Sequence, residues 1–230
     1  MAAPAADDAR ADLRIHAPDL KRPDVAELLK RAATLRPPEG VLPADAPVFG
    51  DHLLNPHLAA PRDEPPPREA AVLVALGDGA DGELCVVLTQ RAAHLSAHAG
   101  QVALPGGKIE PGETPSAAAV REAHEEVALP PAALRVLGLT DPYLTRTGYF
   151  IVPVIALVTR PVVLRPEPGE VADAFVAPWH RVMDAAHRRE LVIDRDGAPR
   201  RFYETMVGER RVWGVTAGIF KLVSERLYEQ

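Results

Sequence analysis

The 230-residue chain has a single cysteine, few aromatics, no excess of positive charge and no long apolar run. One cysteine, Cys85, excludes an internal disulfide and any multi-cysteine zinc or iron–sulfur site. It lies in the apolar stretch ELCVVLTQR, where a buried, inert thiol is expected rather than a nucleophile. Aromatics make up 5% of the chain, so Ala, Val and Leu must supply most of the core. A formal net charge of -6 argues against non-specific nucleic-acid binding, which calls for a basic surface. It leaves room for a small anionic ligand, because a local cation can override the global charge. No stretch approaches the roughly 20 apolar residues that span a bilayer. The opening MAAPAADDARADLR carries early acids and no apolar core, so it does not read as a secretion signal, and the cytoplasm is the expected compartment.

What is present is unevenly distributed. Half of the 24 prolines fall in the first 70 residues. Residues 1–67 therefore read as a Pro/Ala-rich arm with one helix near Asp24–Leu35, Pro23 at its start and Pro37 beyond its end. The triple proline at 65–67 marks the expected boundary with a domain at 68–230. Such an arm wraps either its own domain or a twin subunit, which leaves a homodimer open.

Past the boundary, 70–76 and 83–91 are strand candidates joined by the turn GDGADG, and residues 101–113 are Gly- and Pro-rich loop. A helix is expected over 115–127: Thr114 is a capping candidate, Pro115 suits the first helical position, and AAAVREAHEE is rich in helix formers. Residues 134–139, 150–158 and 173–179 look like strands and 214–228 like a closing helix. The irregular alternation suits an α/β or α+β fold with a mixed sheet between helices.

The helix over 115–127 carries the chemistry. At 3.6 residues per turn, Glu122, Glu125 and Glu126 share an arc of about 100°. Two carboxylates about 5 Å apart repel by about 3 kcal/mol at an effective dielectric of 20. A divalent cation relieves that repulsion, and an all-oxygen ligand set selects magnesium or manganese over zinc or copper. A solvated charged face is the plainer explanation for REAHEE by itself. The preceding loop changes the balance: Gly106, Gly107 and Gly112 permit sharp turns and close approach, and Glu113 can pair with Arg121.

These residues resemble the Nudix signature, a glycine, five residues, a glutamate, seven residues, then REUxEExGU with U aliphatic. Gly107, Glu113, Arg121, Glu122, Glu125 and Glu126 stand at the required spacing, and Leu129 fills the last aliphatic place. Ala123 is a small first U, and Ala128 stands where the pattern has glycine, which touches the helix end rather than the chemistry. The resemblance implies an α/β/α sandwich with a loop–helix–loop that presents metal to a nucleoside diphosphate derivative. By position, Glu122, Glu125, Glu126 and the Gly107 carbonyl would ligate Mg2+ or Mn2+, while Glu113 and Arg121 hold the loop.

Upstream, LTQRAAHLSAHAGQVALPGG (88–107) resembles the added motif of the coenzyme A pyrophosphatase branch through Thr89, Arg91, Ala92, Gly100, Pro105, Gly106 and Gly107. Ser96 replaces its second arginine and Leu104 its phenylalanine; His94 or His98 could stand in for the lost cation. Segments 141–157, 168–179 and 212–219 look like later parts of that branch. Glu170 is then the candidate general base or extra ligand from outside the helix, and Arg91, Thr89, His98, Gly106 and Gly107 would meet substrate. The resemblance implies hydrolysis of coenzyme A or acyl-coenzyme A to 3',5'-ADP and (acyl-)4'-phosphopantetheine. ADP-ribose, dinucleotides or nucleoside triphosphates are alternative substrates. A non-catalytic nucleotide sensor on the same fold is a further alternative, though it would be expected to have damaged glutamates.

Overall fold

The computed structural model describes residues 13–40, 48–58, 67–95, 98–195 and 197–229. Before the domain come β1 (Arg14–Ile15), α1 (Pro23–Ala32), β2 (Phe49–Gly50) and α2 (Asp51–Leu54). The central part holds β3 (Arg68–Asp78), β4 (Leu84–Arg91), β5 (Val102–Ala103), β6 (Gly106–Lys108) and α3 (Pro115–Val127). There follow β7 (Leu134–Leu139), β8 (Tyr143–Leu144), β9 (Tyr149–Val158), β10 (Val162–Val163), β11 (Val171–Pro178) and α4 (Trp179–Met183). Strands β12 (Arg189–Arg195), β13 (Ala198–Val207), β14 (Arg210–Trp213) and helix α5 (Val215–Tyr228) close the chain.

The main sheet runs β11-β4-β3-β9-β8-β2. It is mixed: β3 and β9 run parallel from Arg68↔Tyr149 to Leu76↔Leu157, whereas β3 and β4 are antiparallel. Strand parity sorts the side chains into two cores. Ala71, Leu73, Ala75, Val87, Val152 and Val154 face α3, and its Ala118, Ala119 and Ala123 present no side chain longer than a methyl, so the helix lies close on the sheet. Val74, Leu76, Val86, Leu88 and Ile155 face the opposite layer, built from α1, α4 and α5. The architecture is the expected α/β/α sandwich of the α+β class.

The Pro-rich stretch contributes more than one solvent-facing helix. Val25, Leu28 and Ala32 of α1 are buried in the same core as α5. β1 pairs with β10, β2 lies parallel to β8, and Arg36 bridges Leu139 of β7. Arg22 adds a bidentate bond to Asp78 at 2.8 Å through each terminal nitrogen. The triple proline falls outside the described residues except for Pro67.

One region departs from expectation, and another has no element assigned to it from sequence. Within 101–113, read as loop, β5 pairs with β4 and β6 with β3, because Gly106 and Gly107 lack the Cβ that would otherwise collide with their neighbours. A Cβ on Gly106 would meet Ala71 O at 2.3 Å. The segment 189–213 forms a three-stranded antiparallel sheet, β12-β13-β14, lying against α5. Among the described residues no helix is long and apolar enough to cross a membrane.

Candidate active site

The site lies where the sheet divides. Antiparallel pairing of β3 with β4 covers Leu76↔Val86 to Asp78↔Leu84, and toward the other end β5 and β6 fill the gap between the two strands. Over this opening lies α3. Thr114 Oγ1 accepts from Ala117 N at 3.2 Å and Pro115 starts the helix, so its register is set by its cap. At the other end Ala128 adopts φ 54°, ψ 31°, the left-handed turn that the missing glycine would have taken. The helix therefore ends at the same place without glycine, at the cost of an unfavourable backbone conformation.

Arg121 organises the outer half of the cluster. Its Nε and Nη2 donate to Glu113 Oε1 and Oε2 at 2.9 and 3.0 Å, and Nη2 also reaches Lys108 O at 3.1 Å. Its Nη1 donates to Glu122 Oε1 at 2.9 Å and Glu125 Oε2 at 3.0 Å. The Glu113 carboxyl is accordingly held below the usual range by Arg121. Glu122 rests against the bare Gly107 backbone, where a Cβ would stand 2.4 Å from Glu122 Oε1.

The inner half is drier. Glu126 is 4% exposed, and Gly106 N donates to its Oε2 at 3.3 Å. Burial pushes this carboxyl up to about 8, offset in part by the Gly106 N–H and the charge of Arg91, and reinforced by Glu122 and Glu170. Glu122 is also raised, chiefly by burial, with Arg121 opposing.

Glu170 comes from outside the helix, as expected, and its loop is tied to α3. Arg165 N and Glu167 N donate to Val127 O and Glu126 O at 2.9 and 2.8 Å, and Ala92 N donates to Glu170 O at 2.9 Å. A register shift between Val171 and Asp173 then re-aims the start of β11. Glu170 is thereby brought within electrostatic reach of Glu122 and Glu126. Arg91, two residues beyond Thr89 on the α3 side of β4, has a buried Nε with no hydrogen-bond partner.

Other expected contacts are placed differently. Thr89 is 1% exposed and its hydroxyl donates to Ala103 O at 3.3 Å, so it holds β5 to β4 and is too buried to touch a ligand. His98 is exposed, at φ 57°, and bonds Gln101 Oε1 at 2.9 Å within its own loop. His94 Nε2 lies 3.2 Å from Gly169 O, a link to the Glu170 turn that the sequence did not disclose. Ser96 lies outside the described residues.

A family model described as the NUDIX domain matches residues 66–202. The chain belongs to the Nudix family. Uncharacterized Nudix hydrolase NudL of Escherichia coli O6:H1 is 39% identical over 155 residues, 67% of this chain and 80% of that protein. The protein of the same name in Yersinia pestis (strain Pestoides F) is 36% identical over 161 residues, 70% of this chain and 80% of its own length. Among solved structures, the Nudix hydrolase RenU from M. smegmatis is 31% identical, covering 52% of this chain and 75% of that one with a TM-score of 0.43. This Nudix chain is thus a pyrophosphohydrolase, and Nudix hydrolases use divalent metals.

The donor set suits such a metal. Glu122, Glu125, Glu126 and the Gly107 carbonyl offer oxygen alone, which favours hard cations, and Glu126 is a buried carboxylate whose ionised form a cation would stabilise. As the side chains stand, no three His, Cys, Asp or Glu among the described residues are gathered closely enough to hold an ion. Arg121 Nη1 holds Glu122 and Glu125 in ion pairs, while Glu126 stays buried.

Proposed function

We propose that this Nudix hydrolase cleaves the diphosphate of coenzyme A or its thioesters, releasing 3',5'-ADP and (acyl-)4'-phosphopantetheine. Diphosphate cleavage in this reading is carried by one arrangement, a buried carboxylate, Glu126, with Glu122 beside it and Arg91 and Glu170 within electrostatic reach, and the choice of coenzyme A by the likeness of 88–107 to the added motif. Glu122, Glu125, Glu126 and the Gly107 carbonyl would hold Mg2+ or Mn2+. When bound, the metal neutralises the diphosphate and lowers the pKa of a water that attacks phosphorus.

The protein supplies the remainder. The unpartnered Nε edge of Arg91 offers a donor to a phosphate oxygen in a place with little competing water. Glu170 takes the proton of the attacking water on its carboxylate, held near the cluster by Ala92 N and the backbone ties to α3. The Arg121–Glu113 pair braces the loop bearing Gly106 and Gly107. Gly106 and Gly107 let the phosphates approach the backbone, and His98, exposed and without the tie to Gly169 that His94 makes, is the replacement for the arginine missing at Ser96. The enzyme works in the cytoplasm, where the buried Cys85 thiol, pushed up to about 11, stays reduced and inert.

The test is a substrate panel: coenzyme A, acetyl-coenzyme A, ADP-ribose and dNTPs, each with Mg2+ or Mn2+, products resolved by anion exchange. The expected outcome is 3',5'-ADP as the main nucleotide product, with the coenzyme A compounds cleaved best. Brisk cleavage of ADP-ribose beside inert coenzyme A would overturn the assignment.

A further inference from the structure

Arg121 divides its guanidinium between two tasks. One edge, Nε and Nη2, forms a bidentate pair with Glu113 and ties in Lys108 O. The remaining nitrogen, Nη1, spans Glu122 Oε1 and Glu125 Oε2. Among the described residues it is the one positive group in an ion pair with either of these carboxylates. A brace for the loop needs the first edge. It has no need of the second, which goes to two of the groups on which metal binding would depend.

The two edges also differ in exposure. The Glu113 and Glu122 side chains are 15% and 17% exposed, whereas that of Glu125 is 57% exposed and that of Arg121 itself 28%. The Nη1–Glu125 bond can therefore open into solvent, and the Nη1–Glu122 bond, as sheltered as the Glu113 pair, is single where that pair is bidentate. Charge-assisted hydrogen bonds of this kind neutralise adjacent carboxylates that would otherwise repel.

We propose that Arg121 is an exchangeable counter-ion of the resting site: Glu122 and Glu125 leave its Nη1 for a divalent cation, while its other edge keeps Glu113. This rests on the reading that Glu122 and Glu125 are metal ligands. Free cation then competes with a guanidinium that is already in place, which lowers apparent affinity and leaves the carboxylates paired when no metal is present. A guanidinium serving purely as a loop brace has the opposite consequence, since losing it would loosen the site and weaken metal binding.

The experiment is Mn2+ binding followed by the EPR signal of the free ion, on the full chain, for wild type, Arg121→Gln, Glu113→Gln and Glu122→Gln. Exchange predicts that Arg121→Gln binds Mn2+ on the order of tenfold more tightly, because the competing cation is gone. Glu113→Gln should bind several-fold more weakly, because the guanidinium then concentrates on the two ligands. Equal or weaker binding by Arg121→Gln would overturn the proposal while leaving the metal site intact. Unchanged binding by Glu122→Gln would instead remove the ligand assignment, and the exchange with it. Should Arg121→Gln fail to fold, the wild type decides through its arginine side-chain NMR signals. Saturating Mg2+ should shift the Arg121 Nη1 resonances and spare Nε, and unshifted Nη1 resonances would overturn the exchange.

Discussion

Glu126 is a carboxylate placed where water scarcely reaches it, and the metal-free protein should show the cost. Its carboxyl is raised from 4.5 to about 8, mainly by burial. Below pH 4.5 the group is protonated in both folded and unfolded chains and contributes nothing. Between 4.5 and about 8 the unfolded chain ionises and the folded one does not, so stability falls as pH rises, by about 1.4 kcal/mol per unit. At pH 7 the loss is on the order of 3 kcal/mol, and it levels off once the folded group also ionises near pH 8. Glu126→Gln cannot ionise, and its amide oxygen can still accept from Gly106 N. The variant should therefore match wild type at pH 4 and be more stable at pH 7, with a melting temperature higher by roughly 6–12 °C at 2–4 °C per kcal/mol. Added Mn2+ should raise the melting temperature of wild type and leave the variant nearly unmoved, and turnover by the variant should fall by orders of magnitude. Urea titrations from pH 4 to 8, with and without metal, read all of this as a difference in which other titrating groups cancel. A stability difference that stays constant with pH would refute the claim that Glu126 is held in a desolvated place.

The non-glycine residue in the left-handed turn gives a second prediction: Ala128→Gly should stabilise the protein by about 0.5–1 kcal/mol in thermal melts without changing metal affinity. Leu28 of α1 is fully buried in the core shared with α5, so Leu28→Ala should cost about 2–5 kcal/mol in urea titrations; a cost below 1 kcal/mol would mean that the N-terminal helix is a detachable arm.

The glutamates could be placed from sequence because everything that positions them is local. Thr114, Pro115 and the run of alanines set the helix, the helix period sets the carboxylate arc, and only the cap and the first turns of that helix separate Arg121 from Glu113. Glu170 was reached only through resemblance, since its approach depends on backbone bonds to the end of α3 from Arg165 and Glu167, far downstream of that helix in sequence. The burial of Thr89 was hidden for a related reason. Strand alternation gives which face a side chain takes, but whether that face is open depends on β5, which a Gly- and Pro-rich segment conceals. The sheet at 189–213 did carry turn signals, Asp196–Gly197 and Gly208–Glu209, between alternating residues. Its many arginines and glutamates, several paired across strands as in Arg201–Glu190 and Arg211–Glu204, break the apolar alternation by which a strand is recognised, leaving the segment without an assignment from sequence.

Local signals thus define the metal-facing side of the site, and non-local packing defines the side that meets the rest of the substrate. Arg91 belongs to both. Its strand is plain in the sequence, yet its orphaned Nε and its influence on Glu126 emerge only once β5 and β6 open the sheet. Under the proposed function, a guanidinium that acts on Glu126 would serve the scissile diphosphate, whichever group that diphosphate carries. Selection among coenzyme A, ADP-ribose and dinucleotides must then come from positions farther out, such as the exposed loop bearing His98, and the substrate panel should be repeated with His98→Ala. Loss of preference for coenzyme A at unchanged turnover of ADP-ribose would place selectivity there; an equal fall on every substrate would return His98 to a purely local role.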